Sequence, residues 1–143
     1  MSKQFNDGRA LSEAILKGAN VLADNVVSTL GPRGRNVILQ EKGKAPIVTK
    51  DGVTIASFID LDDPFENLGA QIIKQASQQT ATQAGDGTTT SIVLSRALLR
   101  EAQKYIISGV SPVEMKRGMD KAVKSIVAKL AEIRSEEHTS ELQ

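Results

Sequence analysis

The chain has 143 residues, of which 40% are hydrophobic and 24% charged, and its formal net charge is +1. Its length corresponds to one domain. The balance of 18 Lys and Arg against 17 Asp and Glu argues against a dedicated nucleic-acid binder. The absence of cysteine excludes disulfides and thiolate metal sites. With no membrane-spanning apolar run and no targeting segment at the N-terminus, we expect a cytoplasmic protein without a membrane partner.

A helix and a hairpin are predicted in the first third of the chain. Apolar residues recur at steps of three and four over residues 8–30, which predicts an amphipathic helix that ends at Gly31-Pro32. Short apolar runs at 36–40 and 47–50 flank a loop with glycine and proline, which predicts a β-hairpin. Because two strands alone are marginally stable, we expect the hairpin to pair with a further segment.

A second helix is predicted to begin at Asp63-Pro64, where Asp63 is a suitable N-cap and Pro64 fits the first turn. The preceding apolar segment, 53–59, does not decide between helix and strand. The apolar stripe of this second helix, which we expect to face the core, consists of Phe65, Leu68, Ile72 and Ala76.

Two more long helices follow. One starts near Thr88 and ends at Gly109, and the next is opened by Ser111-Pro112. The apolar stripe expected on the first is Leu94, Ala97, Leu98, Ala102, Tyr105 and Ile106. The stripe expected on the second is Met115, Met119, Ala122, Val123, Ile126, Val127 and Leu130. The pattern therefore predicts a mainly α, multihelical fold with about four long helices and a small β-hairpin.

The last ten residues, 134–143, are polar and have no helical periodicity. They resemble the in-frame translation of a sequencing-library adapter. We therefore expect the native sequence to end near Ile133 in this chain and His138, the only histidine, to have no function. A frayed polar tail is the alternative, and it also leaves His138 without a role.

Three glycine-containing segments carry the functional signal. They are Thr29-Leu30-Gly31-Pro32-Arg33-Gly34-Arg35, Lys50-Asp51-Gly52 and Gly85-Asp86-Gly87-Thr88-Thr89-Thr90. Glycines let backbone N–H groups approach an anion, and a helix N-terminus adds unpaired donors. An aspartate among such donors would repel a phosphate unless a divalent cation lay between them. The combination indicates a magnesium nucleotide.

Each segment also has a plain structural interpretation. The first segment fits a helix C-cap followed by a surface turn. Asp51, in the second, fits an ordinary turn. The third segment fits a turn followed by a helix N-cap at Thr88. Asp51 could instead orient water or help to hold a cation. The basic residues Arg33, Arg35, Lys42 and Lys44 could grip a nucleic-acid backbone, although the near-neutral charge disfavours this.

Taken in order, five segments closely resemble the group I chaperonins, the GroEL family. They are residues 29–37 (TLGPRGRNV), 49–54 (TKDGVT), 65–71 (FENLGAQ), 84–90 (AGDGTTT) and 116–123 (KRGMDKAV). The resemblance covers residues from about 3 to 133. Group II chaperonins share the third glycine segment, whereas Lys50 and residues 65–71 resemble group I.

The resemblance implies that residues 1–133 are the incomplete N-terminal part of a chaperonin equatorial, ATP-binding domain. The full protein would be an ATP-dependent molecular chaperone that forms a homo-oligomeric ring. It would take unfolded polypeptide clients and a co-chaperonin, with no nucleic acid. The hairpin and the residues near Phe5 would contact neighbouring subunits in the ring.

The resemblance also implies site residues for ATP, Mg²⁺ and K⁺. Asp86 would ligate Mg²⁺, Lys50 would lie against the nucleotide and K⁺, and Asp51 would assist catalysis near the terminal phosphate. The residues that would line the phosphates after the first helix are Thr29, Leu30, Gly31 and Pro32. Those that would hold phosphate oxygens at the third glycine segment are Gly87, Thr88, Thr89 and Thr90.

Two departures from the family's pattern bear on activity. Arg33 stands where the family usually has lysine, which keeps the charge but changes donor geometry. No residue here corresponds to the family's main catalytic aspartate, so we expect this chain alone to be inactive as an ATPase. The alternative function is a stand-alone nucleotide-binding or ring-assembly fragment without hydrolysis.

Overall fold

The computed structural model describes the backbone of residues 8–140 and the side chains of residues 8–134. The predicted contacts of Phe5 and the side chain of His138 therefore lie outside the described residues. Within the described part the fold is mainly α, with five helices and one antiparallel hairpin, which confirms the predicted class. The elements are α1 (Gly8–Val27), β1 (Val37–Leu39), β2 (Ile47–Thr49), α2 (Gly52–Phe58), α3 (Pro64–Ala84), α4 (Thr88–Ile107) and α5 (Pro112–Ser140).

The chain divides into two compact units, residues 1–103 and 104–143. The hydrophobic core described for the first unit is built by α1, β1, α2, α3 and the start of α4. Its buried residues are Ala19, Leu22, Ala23, Val26, Leu39, Ile55, Ala56, Ala70, Ile73 and Ile92. In the hairpin, Val37 pairs with Thr49 and Leu39 with Ile47. Leu39 is the strand residue that enters the core.

The second unit contains the end of α4 and all of α5. Gly109 ends α4 as predicted, with φ of 98°, and Val110 N donates to Tyr105 O at 3.0 Å. This is the hydrogen bond of a Schellman cap, which needs a residue in the left-handed region. Helix α5 includes residues 134–140, the first part of the adapter-like segment, and the origin of that segment stays a prediction. No helix in the described part is long and apolar enough to cross a membrane.

Helices α1 and α3 touch through their backbones at two glycines. A Cβ added to Gly18 would lie 1.7 Å from Glu66 O, and one added to Gly69 would lie 1.9 Å from Ile15 O. Real Cβ atoms do not approach oxygen this closely, so neither position accepts a side chain without separating the helices. The Lys17 ammonium also pairs with the Glu66 carboxylate across the same contact.

Helix α3 begins as predicted. Asp63 is its N-cap, and Asp63 Oδ1 accepts hydrogen bonds from Phe65 N and Glu66 N, both at 2.9 Å. Pro64 occupies the first turn, where its missing N–H is not needed.

The predicted buried face of α3 is wrong by about one residue. Leu68 and Ile72 are 46% and 43% exposed, whereas the buried positions are Gly69, Ala70, Ile73 and Ser77. The face is chosen by the close approach of α1, which requires small residues. A periodicity argument ranks large apolar residues first and so selects the neighbouring stripe.

Most large apolar residues of the stripes predicted on α4 and α5 are exposed in the described part, whereas Ala97, Ala102, Met115 and Met119 are half-buried. On α4, Leu94 and Leu98 are 57% and 53% exposed, whereas Ile92 is fully buried. On α5, Val123 and Leu130 are 56% and 58% exposed. The periodicity predicted these helices correctly, and large apolar residues of both stripes are left uncovered in the described part.

The segment of undecided type, 53–59, forms the short helix α2. Its N-terminus is capped by Asp51, and its C-terminus is held by Lys74 of α3, whose Nζ donates to Ile59 O at 3.1 Å. A lysine ammonium at a helix C-terminus satisfies a carbonyl and complements the helix dipole. Both contacts favour helix over strand.

Replacing Ser77 with alanine is expected to raise the free energy of unfolding by about 1 kcal/mol. Ser77 is fully buried, and its hydroxyl has no hydrogen-bond partner. Alanine removes this unpaired group and is the better helix former. The measurement is urea unfolding, with Ser91→Ala as the control. Ser91 Oγ is bonded to Thr80 Oγ1, so this control should lose stability. A loss of stability in S77A would show that its hydroxyl has a partner.

Candidate functional site

The first glycine segment leaves the C-terminus of α1 in a compact turn. Thr29 is buried, and both its N–H and its hydroxyl donate to Val26 O, at 3.0 and 2.7 Å. The Thr29 hydroxyl proton is therefore engaged, and its oxygen can only accept further hydrogen bonds. A Cβ on Gly34 would lie 2.1 Å from Thr29 O, so the turn closes against a residue without a side chain. Gly31 has φ of 79°, in the left-handed region.

The second segment places Asp51 at the N-cap of α2. Asp51 Oδ2 accepts hydrogen bonds from Thr54 N at 2.7 Å and Thr54 Oγ1 at 2.6 Å. Asp51 N donates to Thr49 Oγ1 at 3.0 Å, so β2 and α2 both hold this residue. The pKa of Asp51 lies below its ordinary value, mainly because the Thr54 hydroxyl donates a hydrogen bond to its carboxylate. Partial burial opposes this shift, and the backbone N–H groups of Thr54 and Val53 lower the pKa further. Asp51 is thus an ionised acceptor at neutral pH.

The third segment joins α3 to α4 through two glycines in the left-handed region. Gly85 caps α3 with φ of 74°, and Gly87 has φ of 79°. Between them Asp86 Oδ1 accepts a hydrogen bond from Gly87 N at 2.6 Å. Gly87 O accepts from Ser91 N at 2.9 Å, which starts α4 with Thr88 in its first turn. Asp86 is exposed, so its carboxylate is accessible from solvent.

Gly52 is the point at which the start of α2 packs against α4 and α1. A Cβ added there would lie 2.6 Å from Thr89 Oγ1, 3.4 Å from Thr88 Oγ1 and 3.2 Å from Val26 Cγ1. The start of α2 therefore packs directly on the hydroxyls that open α4 and on the last turn of α1. This contact brings the second and third segments together beside Val26, whose carbonyl accepts the hydrogen bond from the Thr29 hydroxyl. That these residues form one binding site stays a prediction.

The remaining predicted site residues lie on the same three segments but on their exposed side. They are Leu30, Gly31, Pro32, Lys50, Asp86, Gly87 and Thr90. The described contacts do not join Asp86 or Lys50 to Asp51, so their roles stay predictions. A pair of hydroxyls that sequence reasoning missed, Thr80 Oγ1 and Ser91 Oγ, hydrogen-bonds at 2.9 Å and ties the end of α3 to the start of α4.

Sequence reasoning also missed Gly52 and Thr54. The sequence places Gly52 in the second glycine segment but does not show that it packs there on Thr88, Thr89 and the last turn of α1. Thr54 follows Asp51 by three residues, the spacing at which a helix N-cap reaches the N3 residue, and that spacing is the signal that could have found it.

The donor set fits a magnesium nucleotide better than a bare metal ion. The described residues include no cluster of three His, Cys, Asp or Glu that could hold a metal by themselves. Mg²⁺ is commonly bound through one or two carboxylates, with phosphate oxygens and water completing its shell. Asp86 and the hydroxyls and N–H groups at the start of α4 are suited to such a shared arrangement.

The model of the TCP-1/cpn60 chaperonin family matches residues 22–143, a range that includes all three glycine segments. The chain belongs to the TCP-1/cpn60 chaperonin family. Membership gives the chain a chaperone role in protein folding. Chaperonins generally form oligomeric rings that bind client proteins, and full-length members are ATPases.

Proposed function

We propose that this chain is the N-terminal part of the equatorial domain of a group I chaperonin subunit and that its three glycine segments hold Mg²⁺·ATP. The observation that carries the proposal is the packing of Gly52 on Thr88 and Thr89, beside the last turn of α1. It brings a carboxylate, helix N-terminal donors and hydroxyls to one place. These are the groups that phosphoryl transfer needs, since it depends on positioning and charge neutralisation.

The proposed roles of the residues follow from their chemistry and from the resemblance. Asp86 ligates Mg²⁺, and the start of α4 supplies N–H and hydroxyl donors to phosphate oxygens. Lys50 lies against the nucleotide and K⁺. The turn that follows α1 lines the phosphates with Thr29, Leu30, Gly31 and Pro32. Because the Thr29 hydroxyl already donates to Val26 O, its oxygen acts there as an acceptor.

Asp51 assists hydrolysis in the full protein. Its carboxylate is ionised and held by two donors from Thr54, which suits it to accept a hydrogen bond from the attacking water and so orient it. A carboxylate bonded in this way is a weak base, so orientation rather than proton removal is its contribution. The family's main catalytic aspartate is not among these residues, and we expect binding by this chain without efficient turnover.

The proposed partners are those of the complete subunit. They are identical subunits in a ring, unfolded polypeptide clients and a co-chaperonin, with a cytoplasmic location. The exposed apolar residues of the helices favour an assembled state, because exposed stripes such as Leu94 and Leu98 of α4 need covering. A ring-assembly fragment that does not bind nucleotide is the alternative function, and it too would use these stripes.

The proposed function is tested by isothermal titration of the purified chain with Mg²⁺·ATP. We expect saturable binding at one site that is lost when Mg²⁺ is chelated. AMP is the matched control, because it keeps the nucleoside but lacks the β- and γ-phosphates, and it should bind at least about 100-fold more weakly. Oligomerisation in a chain that does not bind ATP would favour the ring-assembly fragment instead. Binding of oligonucleotide that is independent of ATP and vanishes at moderate salt would favour a nucleic-acid binder.

A further inference from the structure

Thr54 contacts Asp51 with two donors at once. Its N–H and its hydroxyl both donate to the same carboxylate oxygen, Asp51 Oδ2, at 2.7 and 2.6 Å. The N–H bond alone is sufficient for an N-cap. The hydroxyl bond is therefore additional to what α2 needs in order to begin, and it ends on the one acidic side chain of this segment.

The two bonds restrict Asp51 in a specific way. Both donors approach Oδ2, and the Asp51 N–H is held from the other side by Thr49 Oγ1 at 3.0 Å. With its main chain and one carboxylate oxygen engaged, the carboxylate plane has a single favoured orientation. Hydrogen bonds to a carboxylate also stabilise its charged form. An ionised group of fixed orientation is what a metal-bridged phosphate or its water requires.

We propose that Thr54 is a positioning residue of the nucleotide site, whose hydroxyl fixes the orientation and charge of the Asp51 carboxylate. This inference rests on the proposed function. Thr54 itself touches no phosphate in this role. It acts through Asp51, and its effect is confined to the hydroxyl, since the N–H bond of the cap is independent of the side chain.

The hydroxyl is tested with Thr54→Val, which keeps the β-branched shape and the N–H but removes the donor. Thr54→Ser is the rescue variant, because it restores the hydroxyl. Thr82→Val is the matched control. Thr82 Oγ1 donates to Gln78 O at 3.0 Å on α3 and has no assigned role in the site. Circular dichroism at neutral pH checks that all three variants keep their helical content.

The first readout is the ¹³C carboxyl titration of Asp51 by NMR. We expect T54V to raise the pKa of Asp51 toward its ordinary value, and T54S and T82V to leave it low. A depressed folded-state pKa stabilises the fold above the unfolded-state pKa and ceases to do so as pH falls through the folded value. The stability difference between T54V and the unsubstituted chain should therefore be complete at neutral pH and vanish in strong acid. The other charged groups of the three segments, Arg33, Arg35, Lys50 and Asp86, are unchanged in every variant.

The second readout is calorimetric titration with Mg²⁺·ATP. Because the water that Asp51 orients also hydrogen-bonds to the terminal phosphate, we expect T54V to bind about tenfold more weakly, with T54S and T82V within about twofold of the unsubstituted chain. Affinity in T54V equal to that of the unsubstituted chain would overturn the role of Thr54 and leave the proposed function standing. A loss that T54S does not rescue would also overturn it. Absence of Mg²⁺·ATP binding in the unsubstituted chain would overturn the proposed function and this inference together.

Discussion

Replacing Asp86 with alanine is expected to lower the affinity for Mg²⁺·ATP on the order of 100-fold, equivalent to about 2.8 kcal/mol. Asp86 is exposed between two glycines in the left-handed region, and its Oδ1 accepts a short hydrogen bond from Gly87 N. Its loss removes the proposed Mg²⁺ ligand and the local hydrogen bond to Gly87 N. The measurement is calorimetric titration of Mg²⁺·ATP into the purified variant.

Two further variants separate the charge of Asp86 from its shape. Asp86→Asn keeps the size of the side chain and removes the negative charge, so it should lose most of the same affinity if metal ligation is the cause. Asp120→Ala is the matched control, since it removes an exposed carboxylate of α5 that pairs only locally with Lys116. It should bind normally. Unchanged affinity in D86A, together with binding that ignores chelation of Mg²⁺, would contradict the proposed site.

Replacing Gly69 with alanine is expected to destabilise the chain by at least about 3 kcal/mol. The added Cβ would lie 1.9 Å from Ile15 O, a backbone atom that cannot rotate away. Relief of this contact requires α1 and α3 to separate, which opens the core around Leu22 and Ile73. The measurement is urea unfolding followed by circular dichroism, and G18A should behave in the same way.

The sign of this effect is decided by comparing two magnitudes. Alanine is the better helix former by about 0.8–1.0 kcal/mol, which would stabilise the variant if the position were open. Overpacking by a backbone clash costs more than this and spreads to neighbouring side chains. Gly118→Ala on α5 is the control, because no atom lies within 4 Å of its added Cβ, and it should raise helical content slightly. A Gly69→Ala variant as stable as the unsubstituted chain would show that α1 and α3 do not touch through their backbones.

The start of α3 and the end of α4 were predictable from the sequence because capping is local, whereas the N-cap of α4 is Gly87 rather than the predicted Thr88, and α1 ends at Val27 rather than near residue 30. Asp63-Pro64 starts α3, and Gly109 ends α4, where each signal depends on a few adjacent residues. The hairpin followed from two short apolar runs around a glycine loop, and Val37–Leu39 and Ile47–Thr49 form it. The undecided segment 53–59 became helical because Asp51 and Lys74 satisfy its two ends, and Lys74 is distant in sequence.

The covered helix faces were not predictable from periodicity. Glycine and serine at Gly69 and Ser77 carry little hydrophobic signal, yet they are buried because α1 approaches α3 closely. Leu68 and Ile72 carry a strong signal and are partly exposed. Which stripe a helix buries depends on the partner helix, and that information is not present within the helix itself.

By itself, the sequence determined the helical class, the start of α3, the end of α4 and the three glycine segments, because caps, turns and residue order are short-range properties. Only the tertiary structure decided that Gly52 packs on Thr88, Thr89 and Val26 of α1 and that Thr54 holds Asp51. A glycine shows where a side chain is missing but not what occupies the space. The approach of Thr89 to Gly52 exists only because α1, α2 and α4 pack around one core.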